Sequence, residues 1–336
     1  MAVAELTPKE RVIEDKQRSL FEESMIRLFK NKVAVGSLIF IILLAIVAVY
    51  PPLIAPQDPI QQDLMANNSV PEYLLFMLPE NAENYAKFSD EYMLGADSLG
   101  RDLWSRTVYG ARVSLAVAFV ASFVSLVVGT IYGSISGYLG GWADNLMMRV
   151  VDFLYGFPFL IVVILLQAYF KALSRQGGAG AGFGSTLIRV NNQMGGMLFL
   201  FIAIGLINWL ALARIARGQV LSYKNEEFVE AARAVGAGDM RIMFKHLLPN
   251  ILGPLIVAET LAIPGYIFTE AFLSFIGLGV NPPTPSWGIM ISEAVQSLRS
   301  YPNQILVPAV FLSITTLAFN FLGDGLRDAF DPRQKE

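Results

Sequence analysis

The chain has 336 residues, of which 54% are hydrophobic and 16% charged, and its mean hydropathy is +0.51. Soluble domains carry about 25% charged and 45–50% apolar residues, and here the apolar excess falls in long blocks, so a bilayer is the expected solvent and membrane lipid an expected partner. The net charge of −3 gives no footprint for a polyanion, which excludes nucleic acid as an expected partner. Cysteine is absent and His246 is the single histidine, which excludes disulfides, thiolate metal sites and a His-rich metal centre.

Residues 1–32 are mostly polar, and no small-x-small cleavage site follows the first apolar block, so that block reads as an uncleaved anchor. Within residues 19–32, Leu20, Phe21, Met25, Leu28 and Phe29 share one helical face. Such a helix suits the membrane surface, or equally a seat on another subunit. Six blocks are long enough, or nearly so, to span about 30 Å at roughly 1.5 Å per residue. They fall at 33–55, 113–137, 146–171, 197–215, 250–277 and 304–323, the fifth containing Pro254 and Pro264, where a kink or tilt is expected. The expected fold class is therefore an all-α polytopic membrane protein with six transmembrane helices.

With the N-terminus in the cytoplasm, 17 of the 25 Lys and Arg fall inside, so both termini are expected to be cytoplasmic. That topology leaves 56–112, 172–196 and 278–303 outside, the first forming a small external cap. Gly177, Gly178, Gly180 and Gly182 read as a flexible connector, because no Lys-Ser or Lys-Thr follows them at phosphate-loop spacing.

The cytoplasmic loop 216–249 is the most informative stretch. Asn225 is positioned to cap a short helix whose stripe is Phe228, Ala231, Ala232 and Val235, with Gly236 ending it. Asp239 is positioned to cap a second short helix running to Pro249. A short, partly charged protrusion suits docking into a groove on a soluble partner, and a solvated connector fits the periodicity equally well.

Glu230-Ala231-Ala232, Gly236 and Leu248-Pro249 resemble the E-A-A loop of ABC importer permeases, with His246 where the general pattern has isoleucine, a replacement common in the peptide-type branch. Two further stretches resemble the dipeptide/oligopeptide/nickel branch. Gly95-Ala96-Asp97-Ser98-Leu99-Gly100-Arg101-Asp102 is similar to its G-T-D-x-x-G-R-D entry motif, with alanine for threonine, and Asn320 through Pro332 is similar to its C-terminal signature. The overall pattern most resembles the C-type permeases of oligopeptide importers.

The resemblance implies one N-terminal helix at 33–55, an external segment at 56–112, a five-helix core at 113–325, and a cytoplasmic tail at 326–336. It also implies that the loop inserts as a coupling helix into an ATPase, through Phe228, Glu230, Ala231, Ala232, Gly236, Asp239, His246 and Pro249. The implied partners are a second homologous permease forming a heterodimer, two ATP-binding subunits and an external peptide-binding protein. No Walker A sequence occurs, so ATP and Mg are expected on the partner ATPase subunits, with no cofactor on this chain and no catalytic set. The cargo implied is a short peptide, with nickel or glutathione as alternatives within the branch. An ion-coupled secondary transporter is a different class, disfavoured because no inverted repeat is evident.

Among intramembrane polar groups, Glu259 and Glu270 lie near three helical turns apart and are pathway candidates, or structural groups paired with a neighbouring helix and the outer boundary. Arg149 and Asp152 are expected to neutralise one another, and Asn208 to bond across helices. Ala121, Ser125, Gly129, Gly133 and Gly137 form a small-residue ridge, a packing seam either within the subunit or toward a second permease.

Overall fold

The computed structural model describes residues 20–55, 57–175 and 182–331. In chain order it contains α1 (Leu20–Lys30), α2 (Lys32–Val49), α3 (Leu103–Leu139), α4 (Gly141–Tyr155), α5 (Phe159–Arg175), α6 (Phe183–Gln193) and α7 (Met197–Tyr223). These are followed by α8 (Glu227–Ala234), α9 (Asp239–Arg241), α10 (Leu248–Phe275), α11 (Trp287–Ala294) and α12 (Asn303–Phe330). A π-helical stretch, Ile242–Leu247, joins α9 to α10 without a break. Between α2 and α3 lie short 3-10 turns and a two-residue parallel pair, β1 (Ser69–Val70) with β2 (Lys87–Phe88).

Among the described residues, α2, α3, α7, the continuous Asp239–Phe275 helix and α12 are long and apolar enough to cross a membrane. The expected span at 146–171 is instead two helices, α4 and α5, bent by 78°. The break follows from Gly156-Phe157-Pro158: α4 ends at Tyr155, and Pro158 has no N–H to continue the ladder and disfavours helical geometry in the residue before it. Pro254 and Pro264 behave differently, since α10 runs through both without interruption.

Four spans are longer than their apolar blocks, and two show why. The α3 helix begins at Leu103, where Asp102 caps it by accepting from the Trp104 and Ser105 N–H groups. The α7 helix runs on to Tyr223 because its polar end has partners, notably Arg217 on Asp144. Hydropathy reports where lipid ends, whereas the helix ends where its backbone or side chains lose partners.

On α2, Ala34, Ile41, Leu44 and Ala48 are buried while Ile39, Ile42, Leu43 and Ile46 are exposed, giving one face to protein and one to lipid. The inner face joins a core with Leu115, Ile267, Phe319 and Leu322 from α3, α10 and α12. A second core holds Val117, Leu200, Ile204 and Leu273, drawn from α3, α7 and α10. The amphipathic helix α1 packs on α12 of its own chain: Leu28 is buried and Arg27 donates to the Asp331 carbonyl, while Phe29 stays exposed.

The small-residue ridge of α3 faces α7 inside the subunit. A Cβ on Gly129 would stand 2.8 Å from Leu212 Cβ, and one on Gly137 would stand 2.9 Å from the Arg217 carbonyl oxygen. At Gly133 a Cβ would overlap the Ala213 carbonyl oxygen, so glycine alone permits that approach. The expected Arg149–Asp152 pair does not form; Asp152 meets Arg214 of α7 at 2.8 Å, because a cross-helix guanidinium reaches it. Asn208 is likewise bonded within its own helix, to the Ile204 carbonyl. The connector residues 177–181 lie outside the described residues, and Gly182 precedes α6, which lies within the expected outside segment 172–196.

Candidate functional site

The signature residues fold into a turn that clamps the segment between α2 and α3 onto the start of α3. Gly95 and Gly100 have φ of +87° and +72°, a left-handed backbone that disfavours any side chain. A Cβ at Gly100 would also overlap the Asp63 carbonyl oxygen. Asp97 Oδ1 accepts from the Leu99 and Arg101 N–H groups, and its Oδ2 meets Arg101 Nε at 2.7 Å and an Arg106 guanidinium nitrogen at 2.5 Å. Glu293 of α11 takes a second nitrogen of each arginine, at 2.7 and 2.8 Å, while Arg106 Nε is left without a partner among the described residues. Arg101, Arg106 and Asp97 are all buried, so two cations and two carboxylates balance in a low-dielectric setting. The signature is thus a structural lock between residues 94–106 and α11. Gln304 of α12 adds to it by donating to Asn68 and to the Ala96 carbonyl.

At the opposite end of the helices stands the loop between α7 and α10. Its α8 helix buries Val229 and Ala232 against Ile242, Leu247, Ile251 and Val220. The expected stripe is therefore divided. Ala232 faces inward, whereas Phe228, Glu230, Ala231 and Val235 are exposed, Val235 by 85%. Glu226, not Asn225, occupies the N-cap position, and no side chain closes that cap. Gly236 ends α8 with φ +83°, its N–H bonded to the Arg233 carbonyl.

Asp239 caps nothing. Gly238 holds the N-cap position of α9, and Asp239 Oδ1 accepts a 2.6 Å hydrogen bond from the Tyr138 hydroxyl at the end of α3. Pro249 does not end the second helix; it lies inside the continuous Asp239–Phe275 helix, directly after the π-helical stretch. His246 is half-buried in the π-helical stretch, and its carbonyl accepts from the Asn250 side chain. Met240 and Phe244 are exposed as well, so exposed apolar side chains continue past the turn at Gly236.

Residues beyond the sequence motifs brace this protrusion. Arg217 of α7 grips Asp144 of α4 with two 2.6 Å bonds, and Ser136 of α3 donates to the same carboxylate at 2.5 Å. Lys224 donates to the Gly137 carbonyl. Asp144 and Arg217 are 73 residues apart, so no local spacing marks them as partners. The loop is thereby tied to α3, α4 and α7 at once.

Residues 129–336 match the family described as the inner membrane component of binding-protein-dependent transport systems. The chain belongs to that family. Residues 19–71 match the N-terminal transmembrane domain of oligopeptide transport permease C. The permease is 37% identical over 324 residues to the oligopeptide transport system permease protein OppC of Bacillus subtilis, covering 96% of this chain and 93% of that protein. It is 39% identical to the dipeptide transport system permease protein DppC of the same organism, covering 94% and 86%. It is also 37% identical to the glutathione transport system permease protein GsiD of Shigella flexneri, covering 96% and 93%. Its fold is similar to a solved chain of the inward-facing MetNI methionine ABC transporter, with a TM-score of 0.50 and 21% identity over 68% of this chain and 97% of that one. The permease is thus a transport subunit of the inner membrane rather than an enzyme, in an ABC system that provides a partner permease and ATPase subunits.

Inside the permease, the two α10 carboxylates are enclosed. Glu259 accepts from Ser125 of α3 at 3.0 Å and from Tyr266 at 2.8 Å. Glu270 accepts from Ser114 of α3 at 2.8 Å and from Ser274 at 2.7 Å. Both are buried within the subunit, at 4% and 0% exposure, so each carboxyl is satisfied by hydroxyls at the α3–α10 contact.

Proposed function

We propose that this chain is one half of a heterodimeric channel that passes short peptides across the bacterial cytoplasmic membrane, with both termini cytoplasmic. ATP and Mg act on two separate ATP-binding subunits, and an external binding protein delivers the cargo. The observation that carries the coupling part is the braced protrusion: Phe228, Glu230, Ala231 and Val235 stand exposed on a short helix held from behind by Val229 and Ala232. A rigid, partly apolar knob on a membrane subunit suits a groove on a soluble motor, and a two-state motor can then bias the helices between alternate arrangements. Peptide cargo is supported by the oligopeptide and dipeptide relatives, and the distribution of Lys and Arg supports the orientation. Glutathione, itself a small peptide, is a second reading supported by the GsiD relative.

Co-purification of the tagged permease tests the coupling surface. Glu230→Lys and Val235→Asp are expected to release the ATPase subunits by about tenfold or more while the partner permease stays bound, since both side chains are exposed and support no core. Retention of the ATPases and of ATP-dependent uptake in both variants would overturn the assignment. Uptake assays with di- and tripeptides, glutathione and nickel test the cargo.

A further inference from the structure

A cavity of about 460 Å³ opens at the end of the molecule remote from α8, between α5, α6, the start of α7 and the segment after α10. Gln167, Lys171 and Arg175 line it from one face of α5, spaced four residues apart, and Asn191, Asn192 and Asn281 line the other side. No Asp or Glu among the described residues borders it. Among the described residues neither Lys171 nor Arg175 makes an ion pair with a carboxylate; Lys171 donates only to the Gly277 carbonyl, at 2.9 Å. Gln167 is 1% exposed, and its Oε1 has no hydrogen-bond partner. A buried acceptor without a donor is costly and rare, so this oxygen marks a position that an incoming N–H can satisfy.

The two demands differ in sign. The cations call for an anionic oxygen group, and the glutamine oxygen calls for a donor. A peptide C-terminus carries both, a carboxylate and, on the same residue, a backbone N–H. A peptide N-terminus brings an ammonium that two cations repel. A phospholipid phosphate answers the cations, but its headgroup donors sit on a flexible tether rather than fixed one carbon from the anionic group as the peptide's last N–H is. We propose that this cavity receives the C-terminal end of a short peptide, with its carboxylate against Lys171 and Arg175 and its last N–H donated to Gln167 Oε1. This rests on the peptide reading above and adds to it a recognition element on the permease itself.

Binding of radiolabelled trialanine and of trialanine amide to the permease, assembled with its partner subunits in nanodiscs without the external binding protein, tests the proposal. The free acid is expected to bind about tenfold tighter than the amide, as a charge-assisted hydrogen bond supports. Lys171→Gln with Arg175→Gln should erase that difference, and Lys171→Arg should keep it. Gln167→Leu should weaken acid and amide alike. An unchanged acid preference in the double Gln variant, or binding by the wild type without any acid preference, overturns the subsite and leaves peptide transport standing. Failure of the wild type to bind either tripeptide overturns the subsite, and absence of tripeptide uptake by cells carrying the whole system removes the peptide reading as well. If nanodiscs containing phosphatidylglycerol show that lipid held through Lys171 and Arg175, with trialanine unable to compete, the cavity is a lipid site and the proposal fails.

Discussion

Asp97 joins more of the lock at residues 94–106 than any neighbouring residue. It holds two backbone N–H groups and two arginines, and neither Arg101 nor Arg106 can reach water easily. Asp97→Ala leaves both guanidinium groups to Glu293 alone. Breaking a buried charge network from one side costs about 3–5 kcal/mol. The expected outcome is a sharply lower thermal midpoint in detergent and poor recovery of the assembled complex. A wild-type midpoint would show that Glu293 carries the cluster unaided. The motif residues Gly95, Asp97, Gly100, Arg101 and Asp102 were legible in the sequence as a set, but their tasks were not. Glu293 completes the cluster from 192 residues beyond Arg101, and no spacing rule reaches that far.

At the scale of elements, the α3–α7 seam is the main close packing of two long helices. Without a hydrophobic drive between helices in lipid, such a contact depends on backbone approach and van der Waals fit. Gly133→Ala places a methyl group against the Ala213 carbonyl and 2.8 Å from Ala216 Cβ. Overpacking of this kind costs about 1–3 kcal/mol. In contrast, Gly265→Ala on α10 meets nothing within 4 Å and should be neutral or slightly stabilising, as alanine favours helix. Thermal unfolding of the two variants in parallel checks this, and equal midpoints would mean that α3 and α7 yield at Gly133. The ridge itself was readable from its spacing of four residues. The identity of the facing helix was not, because a small-residue row fits any smooth partner.

For the whole molecule, the question is how movement at the knob reaches the helices. Tyr138 links Asp239 to the end of α3, and Asp144 ties α3, α4 and α7 together through Ser136 and Arg217. If the knob drives the permease, loosening this tie should reduce coupling without releasing the motor. Tyr138→Phe removes one hydrogen bond, worth about 1 kcal/mol. The expected result is cargo-stimulated ATP hydrolysis reduced about fivefold, with the ATPase subunits still co-purifying. Loss of those subunits instead would make Tyr138 part of the docking surface, and unchanged stimulation would put the transmission path elsewhere.

The sequence by itself determined the solvent, the helical class, the order of the apolar blocks and the position of the knob between the α7 and α10 spans, because these depend on local composition and short-range periodicity. It also carried the resemblance through motifs whose residues lie side by side in the chain. Only the tertiary structure decided where the helices end, that the third span is broken at Gly156 to Pro158, that Asp152 chooses Arg214 and that Asp97 shares two arginines with Glu293. The physical reason is the same in each case. A helix end or a buried charge is set by the partner that satisfies it, and those partners come from distant parts of the chain.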